Sequence, residues 1–333
     1  MKYQKHLLEQ FPAQINHAIS HYAAHGIRLD EISNILICGL GGSGIAGQMA
    51  KRWFTPYTPV PIEVCSDYFL PKYVNEKTLV ILSSYSGNTE ETLSMAEEAL
   101  ARGAAMIALT TGGTLGAFAQ KNQIPFYLAE TGFHPRMALG YSLTNLVLIF
   151  EELLGRAFHK QLKEASAALR NFEGFIENAK GIEAAFDGME NRRTIIFADF
   201  YTFPIGVRFC QQLQENAKIE AYVHELPESN HNVIETIYGK LDANYIFLNS
   251  HHHSRVDLRF DYLKELLLDN GNQVFDMDLK NQQLPVLLSA IYTLDWLSLI
   301  IADLREKQSE VVGNIDKLKA FLNKKAEKKS SIM

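Results

Sequence analysis

The chain has 333 residues, 47 % hydrophobic and 21 % charged, with a formal net charge of −6. That length favours two domains over one, and the composition is that of a folded globular protein. The negative charge, with no basic stripe before the tail, argues against a nucleic-acid surface.

The opening Met1-Lys2-Tyr3-Gln4-Lys5-His6 leads into no apolar signal region. Apolar residues at helical spacing then predict a leading helix over 3–25. A strand is expected at 34–39, ending in Gly39-Leu40-Gly41-Gly42-Ser43-Gly44, with a helix over 45–54. Strands at 61–66 and 78–83 follow. The latter runs into Ser83-Ser84-Tyr85-Ser86-Gly87-Asn88-Thr89 and a helix from about 90 to 102. A strand at 105–110, a helix over 115–121 and a strand at 124–128 complete the first alternation. Helix-type runs over 136–157 and 160–180 lead to a second one. Its strands are expected at 193–198, 219–223, 244–249 and 273–277, its helices at 203–216 and 256–268. Helices over 284–305 and 311–322 close the chain, and the basic tail Lys324 to Lys329 reads as a solubilising end. Every long apolar run is interrupted by Asp, Asn or Gly and is expected to fall short of a membrane span. Cys38, Cys65 and Cys210 are far apart, lack metal-binding spacing and read as buried free thiols, which suits a cytoplasmic protein.

Strands alternating with helices imply parallel α/β sheets with ligands at the carboxyl ends of the strands. The second half repeats the first. Its opening turn, Ala198-Asp199-Phe200-Tyr201-Thr202-Phe203-Pro204, stands where the glycine turn stood but has lost the glycines. If the halves arose by duplication, only the first kept its anion loops.

The hydroxyl-rich turn reads as an anion seat, most plausibly for phosphate. A helix start offers unpaired N–H groups and a positive dipole end, Gly87 lets the backbone approach, and Ser84, Ser86 and Thr89 add hydroxyls. The bland alternative is a plain cap by Asn88 or Thr89. Gly39-x-Gly41-x-x-Gly44 also fits a dinucleotide fingerprint, with Asp67 for a ribose. That reading leaves the serine loop without a job, and neither loop continues into Gly-Lys-Ser/Thr. His251-His252-His253 reads as a loop and not a metal site, having no carboxylate partner nearby in sequence.

The pairing of the Gly-Gly-Ser-Gly turn with Ser84-x-Ser86-Gly87-Asn88-Thr89-x-Glu91-Thr92 resembles the sugar isomerase (SIS) domain. Four later segments narrow this: Pro135-Arg136-x-Ala138-Leu139-Gly140, Gln214-Glu215-Asn216-Ala217-Lys218, Glu228-Ser229-Asn230-His231-Asn232 and Asn314-Ile315-Asp316-Lys317-Leu318-Lys319. With them, nearly the whole chain resembles the bifunctional phosphoglucose/phosphomannose isomerase family.

The resemblance implies a doubly wound α/β fold of two SIS-type domains, each a parallel sheet flanked by helices. The expected division is an N-terminal domain at 1–153, a helical connection at 154–190 and a C-terminal domain at 191–333. It implies interconversion of glucose 6-phosphate and mannose 6-phosphate with fructose 6-phosphate, without metal or cofactor. The phosphate would be held by Ser84, Ser86 and Thr89, with Gly41, Gly42 and Ser43 facing the sugar.

By composition Glu215 is a surface glutamate; by resemblance it is the carboxylate that moves a proton between C1 and C2. His231, in a polar turn, would shuttle the ring-opening proton from across a homodimer interface. Arg136, at a helix start where the dipole disfavours it, would balance enediolate charge. The closing helix would add a lysine, Lys319 as first choice and Lys317 as second. Partners are then a hexose 6-phosphate and a second copy, with no nucleic acid and no membrane. The alternatives are an amino-sugar phosphate isomerase or deaminase, a non-catalytic sugar-phosphate sensor and, from another class, a nicotinamide oxidoreductase.

Overall fold

The computed structural model describes residues 2–330. The first half contains α1 (Lys2–Glu9), α2 (Phe11–His21), β1 (Asn34–Cys38), α3 (Gly41–Phe54), β2 (Ile62–Cys65), β3 (Thr78–Ser83), α4 (Glu90–Ala101), β4 (Ala105–Thr110), α5 (Gly113–Lys121), β5 (Phe126–Leu128) and α6 (Leu139–Leu154). Then come α7 (His159–Ala168) and α8 (Phe172–Ala184). The second half holds β6 (Arg193–Ala198), α9 (Phe203–Gln212), β7 (Ala221–Glu225), β8 (Ala243–Asn249), α10 (Ser254–Asp269), β9 (Val274–Asp278), α11 (Leu284–Leu304) and α12 (Gly313–Ser330).

The strands form two parallel sheets, β2-β1-β3-β4-β5 and β7-β6-β8-β9. In each, the chain steps from a central strand to one neighbour, then crosses to the other side. The crevice at that reversal, above the carboxyl ends of β1 and β3 or of β6 and β8, is where α/β folds bind ligands.

Alternation along the buried strands sorts their side chains onto two faces. Ile35, Ile37, Leu79, Ile81, Ile107 and Leu109 join Ile196, Ala198, Ile246 and Leu248 in one core that both sheets share. The opposite faces build separate outer cores, around Leu36, Val80 and Leu82 for the first sheet and Phe197, Tyr245 and Phe247 for the second. α11 runs through the shared core. By length and composition it is sufficient to cross a membrane, contrary to the expectation that every apolar run falls short. It is a core helix instead, with 78 % of its apolar window inside the protein.

Three expected helices are broken. The leading one stops at Glu9 and restarts at Phe11, with Pro12 in the new first turn, where its missing N–H costs nothing. The run over 136–157 begins as a 3-10 turn, Pro135–Met137, before α6. The run over 160–180 splits at Asn171, between α7 and α8. All three cysteines are free; Cys38 and Cys210 are buried and Cys65 only half-buried, because β2 is an edge strand.

Candidate functional site

Three segments converge above β1 and β3. A Cβ on Gly39 would come within 2.8 Å of the Ser83 carbonyl oxygen, and one on Gly42 within 2.7 Å of the Pro135 carbonyl oxygen. The glycines therefore let the β1–α3 turn touch both the serine loop and the Pro135–Arg136 turn. Gly87, at φ +69°, packs where a Cβ would lie 2.0 Å from the Gly112 carbonyl oxygen. No other residue fits there without moving that backbone.

Within the serine loop, the Ser84 and Thr89 hydroxyls are hydrogen-bonded at 2.8 Å, and Gly87 N–H donates to Ser84 Oγ at 3.1 Å. The exposed Ser86 Oγ accepts from Asn88 N–H at 3.2 Å, and the buried Ser43 Oγ accepts from Tyr85 N–H at 3.3 Å. Thr89 stands at the N-cap of α4 without a side-chain capping bond, and Leu40 does the same for α3. Asn88 is committed elsewhere: its Oδ1 accepts from Thr114 N–H and Oγ1 on α5. The plain-cap alternative therefore fails. Two helix starts and a cluster of hydroxyls remain, an arrangement chemically suited to an anion.

From Pro135 the next residue reaches the second half. Arg136, 6 % exposed, donates from Nη1 to Glu215 Oε2 at 3.2 Å and from Nε to Asn216 Oδ1 at 3.0 Å. Its Nη2 donates to the Ser309 carbonyl oxygen. Glu215 lies in a π-type turn, Leu213–Ala217, that ends α9 and stops at Lys218 in the left-handed region, φ +58°. Such a wide turn re-aims side chains and recurs at functional sites. The Glu215 side chain keeps 32 % exposure and faces a cleft of about 410 Å³ lined by Gln211, Gln214, Lys218 and residues 311–315. Lys218 Nζ spans that cleft's floor, donating to the carbonyl oxygens of Glu215 and Val311.

A buried polar network fixes the Arg136–Glu215 pair from behind. Arg208 donates to the Arg136 carbonyl oxygen at 2.9 Å and pairs with Asp295, Nη2 to Oδ2 at 2.6 Å. Gln212 also donates to Asp295, and Asn216 donates to Ser298 Oγ at 3.0 Å. None of these supporting residues was singled out from the sequence. The available signal was Asp295, a charge in the middle of an apolar helix, whose burial demands a partner. His134, beside Arg136, was also missed; burial and the Arg136 charge hold its imidazole below the ordinary range.

His231 is not brought to this place. It is exposed, on a 3-10 turn, Glu228–His231, beyond the carboxyl end of β7. α9 leaves the carboxyl end of β6 and runs back, so Glu215 lies at the opposite edge of the same sheet. Contacts between the halves fix the same geometry. Arg136 joins Glu215 at one end, whereas at the other Arg52, near the end of α3, holds Glu225 with Nη2 to Oε2 at 2.9 Å. From Gly42, which touches Pro135, to Arg52 is ten residues along α3, which puts about 15 Å between these contacts.

Of the two lysines, Lys317 lines a second cleft, about 650 Å³, which shares Gln214 and Lys218 with the cleft at Glu215. Lys319 is exposed and lines neither. A larger cleft, about 810 Å³ between α8, β9 and α11, contains none of the expected site residues.

The histidine run does have carboxylate partners, contrary to expectation. His251 lies between Asp257 at 3.0 Å and Asp278 at 2.9 Å, the latter brought in by β9. His252 Nδ1 is 3.6 Å from Asp199, and His253 caps α10 by accepting from Arg255 N–H. Among the described residues, no group of three or more His, Cys, Asp and Glu side chains is arranged to hold a metal.

Two family models match the chain: the SIS domain over residues 29–139, and the bacterial phospho-glucose isomerase C-terminal SIS domain over 177–322. A bifunctional phosphoglucose/phosphomannose isomerase of Caldicellulosiruptor bescii is 35 % identical over 95 % of this chain and 97 % of its own. One of Aquifex aeolicus is 34 % identical over 90 % and 93 %. A D-glucosamine-6-phosphate 4-epimerase of Sulfolobus acidocaldarius is 32 % identical over 62 % and 64 %. Among solved structures, a glucosamine-6-phosphate deaminase of Thermotoga maritima shares the fold with a TM-score of 0.73 at 13 % identity, over 92 % of this chain and 96 % of that one.

Proposed function

The chain belongs to the bifunctional phosphoglucose/phosphomannose isomerase family, and from that premise we propose that it interconverts glucose 6-phosphate and mannose 6-phosphate with fructose 6-phosphate. The observation that carries this reading is the continuous path from anion seat to carboxylate. The serine loop touches the glycine turn, Gly42 touches Pro135, and Arg136 pairs with Glu215.

Ser84, Ser86 and Thr89 anchor the phosphate at the inert end of the sugar, and Gly41, Gly42 and Ser43 line the way to its reactive end. Glu215 takes the proton from C2 of the open-chain aldose and returns it to C1. Arg136 stabilises the enediolate formed between those two transfers. His231 opens the ring, supplied by a second copy; its separation from Glu215 within one chain supports that reading. The proposed assembly is a homodimer, with the ring-opening lysine drawn from α12, Lys319 by family position or Lys317 by its place on the cleft. Residues 1–153 then carry the anchor and 191–333 the chemistry, joined by 154–190, in a cytoplasmic enzyme that needs no metal.

An amino-sugar phosphate substrate is the second reading, favoured by the 4-epimerase relative. One assay separates them: production of fructose 6-phosphate from glucose 6-phosphate and from mannose 6-phosphate, with a chelator present, beside glucosamine 6-phosphate. Conversion of both neutral sugars is expected. Turnover of the amino sugar alone would overturn the proposal.

A further inference from the structure

The second half has a crevice in the same place as the first. Strand register makes the match residue by residue. Cys38 pairs with Cys65 and Leu82, as Ala198 pairs with Glu225 and Leu248. One residue beyond Cys38 and Ala198, Gly39 therefore corresponds to Asp199; two beyond Leu82 and Leu248, Ser84 corresponds to Ser250. The glycine that opens the first turn is replaced by a carboxylate.

That carboxylate is fully buried and surrounded by donors. Oδ1 accepts from Tyr201 N–H at 2.9 Å and Thr202 N–H at 3.1 Å, at the start of α9. Oδ2 accepts from Ser250 N–H at 2.6 Å, in the turn before α10. Burial alone would push the Asp199 carboxyl up, but the His252 and Ser250 donors outweigh it and hold the group below the ordinary carboxylate range.

Two more polar side-chain atoms lie at this carboxylate without a hydrogen bond to it. Ser250 Oγ, in a residue 0 % exposed, has no hydrogen-bond partner. His252 Nδ1 stands 3.6 Å from Asp199 Oδ2, within ion-pair distance but just beyond hydrogen-bond reach. A buried hydroxyl left without a partner is costly, so Ser250 Oγ, with His252 Nδ1 just out of hydrogen-bond reach, describes a seat shaped for more oxygens than this carboxylate offers. A phosphate group, with three or four oxygens in tetrahedral array, matches that surplus.

We propose that the second half retains a complete oxyanion seat, occupied in cis by the side chain of Asp199, and that removing this side chain opens the seat to inorganic phosphate. The seat lies at the carboxyl edge of the second sheet, at the opposite end of the molecule from Glu215. One chain therefore holds one exchangeable phosphate and one built-in substitute for it.

The test begins with a parent whose first seat is weakened by Ser86→Ala and Thr89→Val. Asp199→Gly and Asp199→Ser are added separately, and inorganic phosphate is titrated calorimetrically. Each Asp199 variant is expected to gain one phosphate site that the parent lacks, and Ser250→Ala is expected to weaken that site about tenfold. Folded Asp199 variants that bind no more phosphate than the parent would overturn the proposal. If both variants fail to fold in phosphate-free buffer, refolding yield is read with and without phosphate. Recovery by phosphate but not by chloride supports the seat; equal yields overturn it.

Discussion

The two carboxyl edges of this molecule share one topology and have opposite fates. At the first, Gly39 carries no side chain, Thr89 and Leu40 leave their helix starts without side-chain caps, and the hydroxyls of Ser84, Ser86 and Thr89 gather in the turn. At the second, the backbone donors and the start of α10 are satisfied from within. Asp199 takes the backbone donors, His253 caps α10, and His251 ties Asp257 to Asp278. Ligand capacity in such folds is therefore a property of a few turn residues and not of the sheet. The second half keeps its functional contribution at its other edge, where the π-type turn delivers Glu215 to the first half's Arg136. In the proposed mechanism, an open seat in one half and a carboxylate from the opposite edge of the other build one site.

The largest expected effect comes from breaking the chemical side of that division. Glu215→Gln keeps the size of the side chain and removes the base, so kcat should fall about 10²–10⁴-fold with little change in thermal stability. The same variant tests the second copy. Mixed with His231→Ala and allowed to exchange subunits, it should restore about a quarter of wild-type activity, because half of the dimers are mixed and each has one intact site. Two inactive variants that stay inactive together would place His231 and Glu215 on the same chain's site, against the geometry.

Next is the support beneath the pair. Asp295→Ala leaves Arg208 buried and unpaired, and breaking such a pair costs about 3–5 kcal/mol. Urea unfolding should read that loss, and kcat should fall because Arg208 also holds the Arg136 backbone. A loss under about 1 kcal/mol would mean that water reaches the guanidinium. On the anchor side, Ser86→Ala with Thr89→Val should raise KM for hexose 6-phosphates about tenfold, with kcat changed less. A fall in kcat with KM unchanged would show that this loop contributes to the chemical step and not to anchoring.

The first edge was legible in the sequence because its information is local. A strand, a glycine-rich or hydroxyl-rich turn and a helix lie within about ten residues, and each residue type has a physical reason to be there. The alternating sheets were legible for the same reason. What was not legible depended on distance. Arg136 and Glu215 are 79 residues apart in the chain and meet only because the halves pack with opposite edges together. Asp278 reaches His251 through the pairing of β8 with β9, so the histidine run seemed to lack carboxylates. The loss of glycines at Ala198–Pro204 was visible in the sequence; that Asp199 replaces a ligand oxygen was not, because its donors come from two separate turns.

The smallest expected effect concerns the clamp that closes the second edge. His251 holds a left-handed backbone, φ +54°, in a side chain 40 % exposed. Burial lowers the affinity of its imidazole for a proton, yet hydrogen bonds and charge from Asp278 and Asp257 prevail and raise the pKa above the ordinary 6.5. A group whose pKa rises on folding contributes stability that is complete below its unfolded value. That stability is lost as pH rises through the folded value. His251→Asn tolerates the same backbone and cannot be charged. The wild type should therefore melt above the variant at about pH 6, and the gap should narrow by about pH 8.5. A gap constant across that range would show that His251 acts by shape and not by charge. The matching control lies at the first edge: Asn88→Ala removes the acceptor for Thr114 and should cost stability equally at both pH values, because no titrating group takes part in that bond.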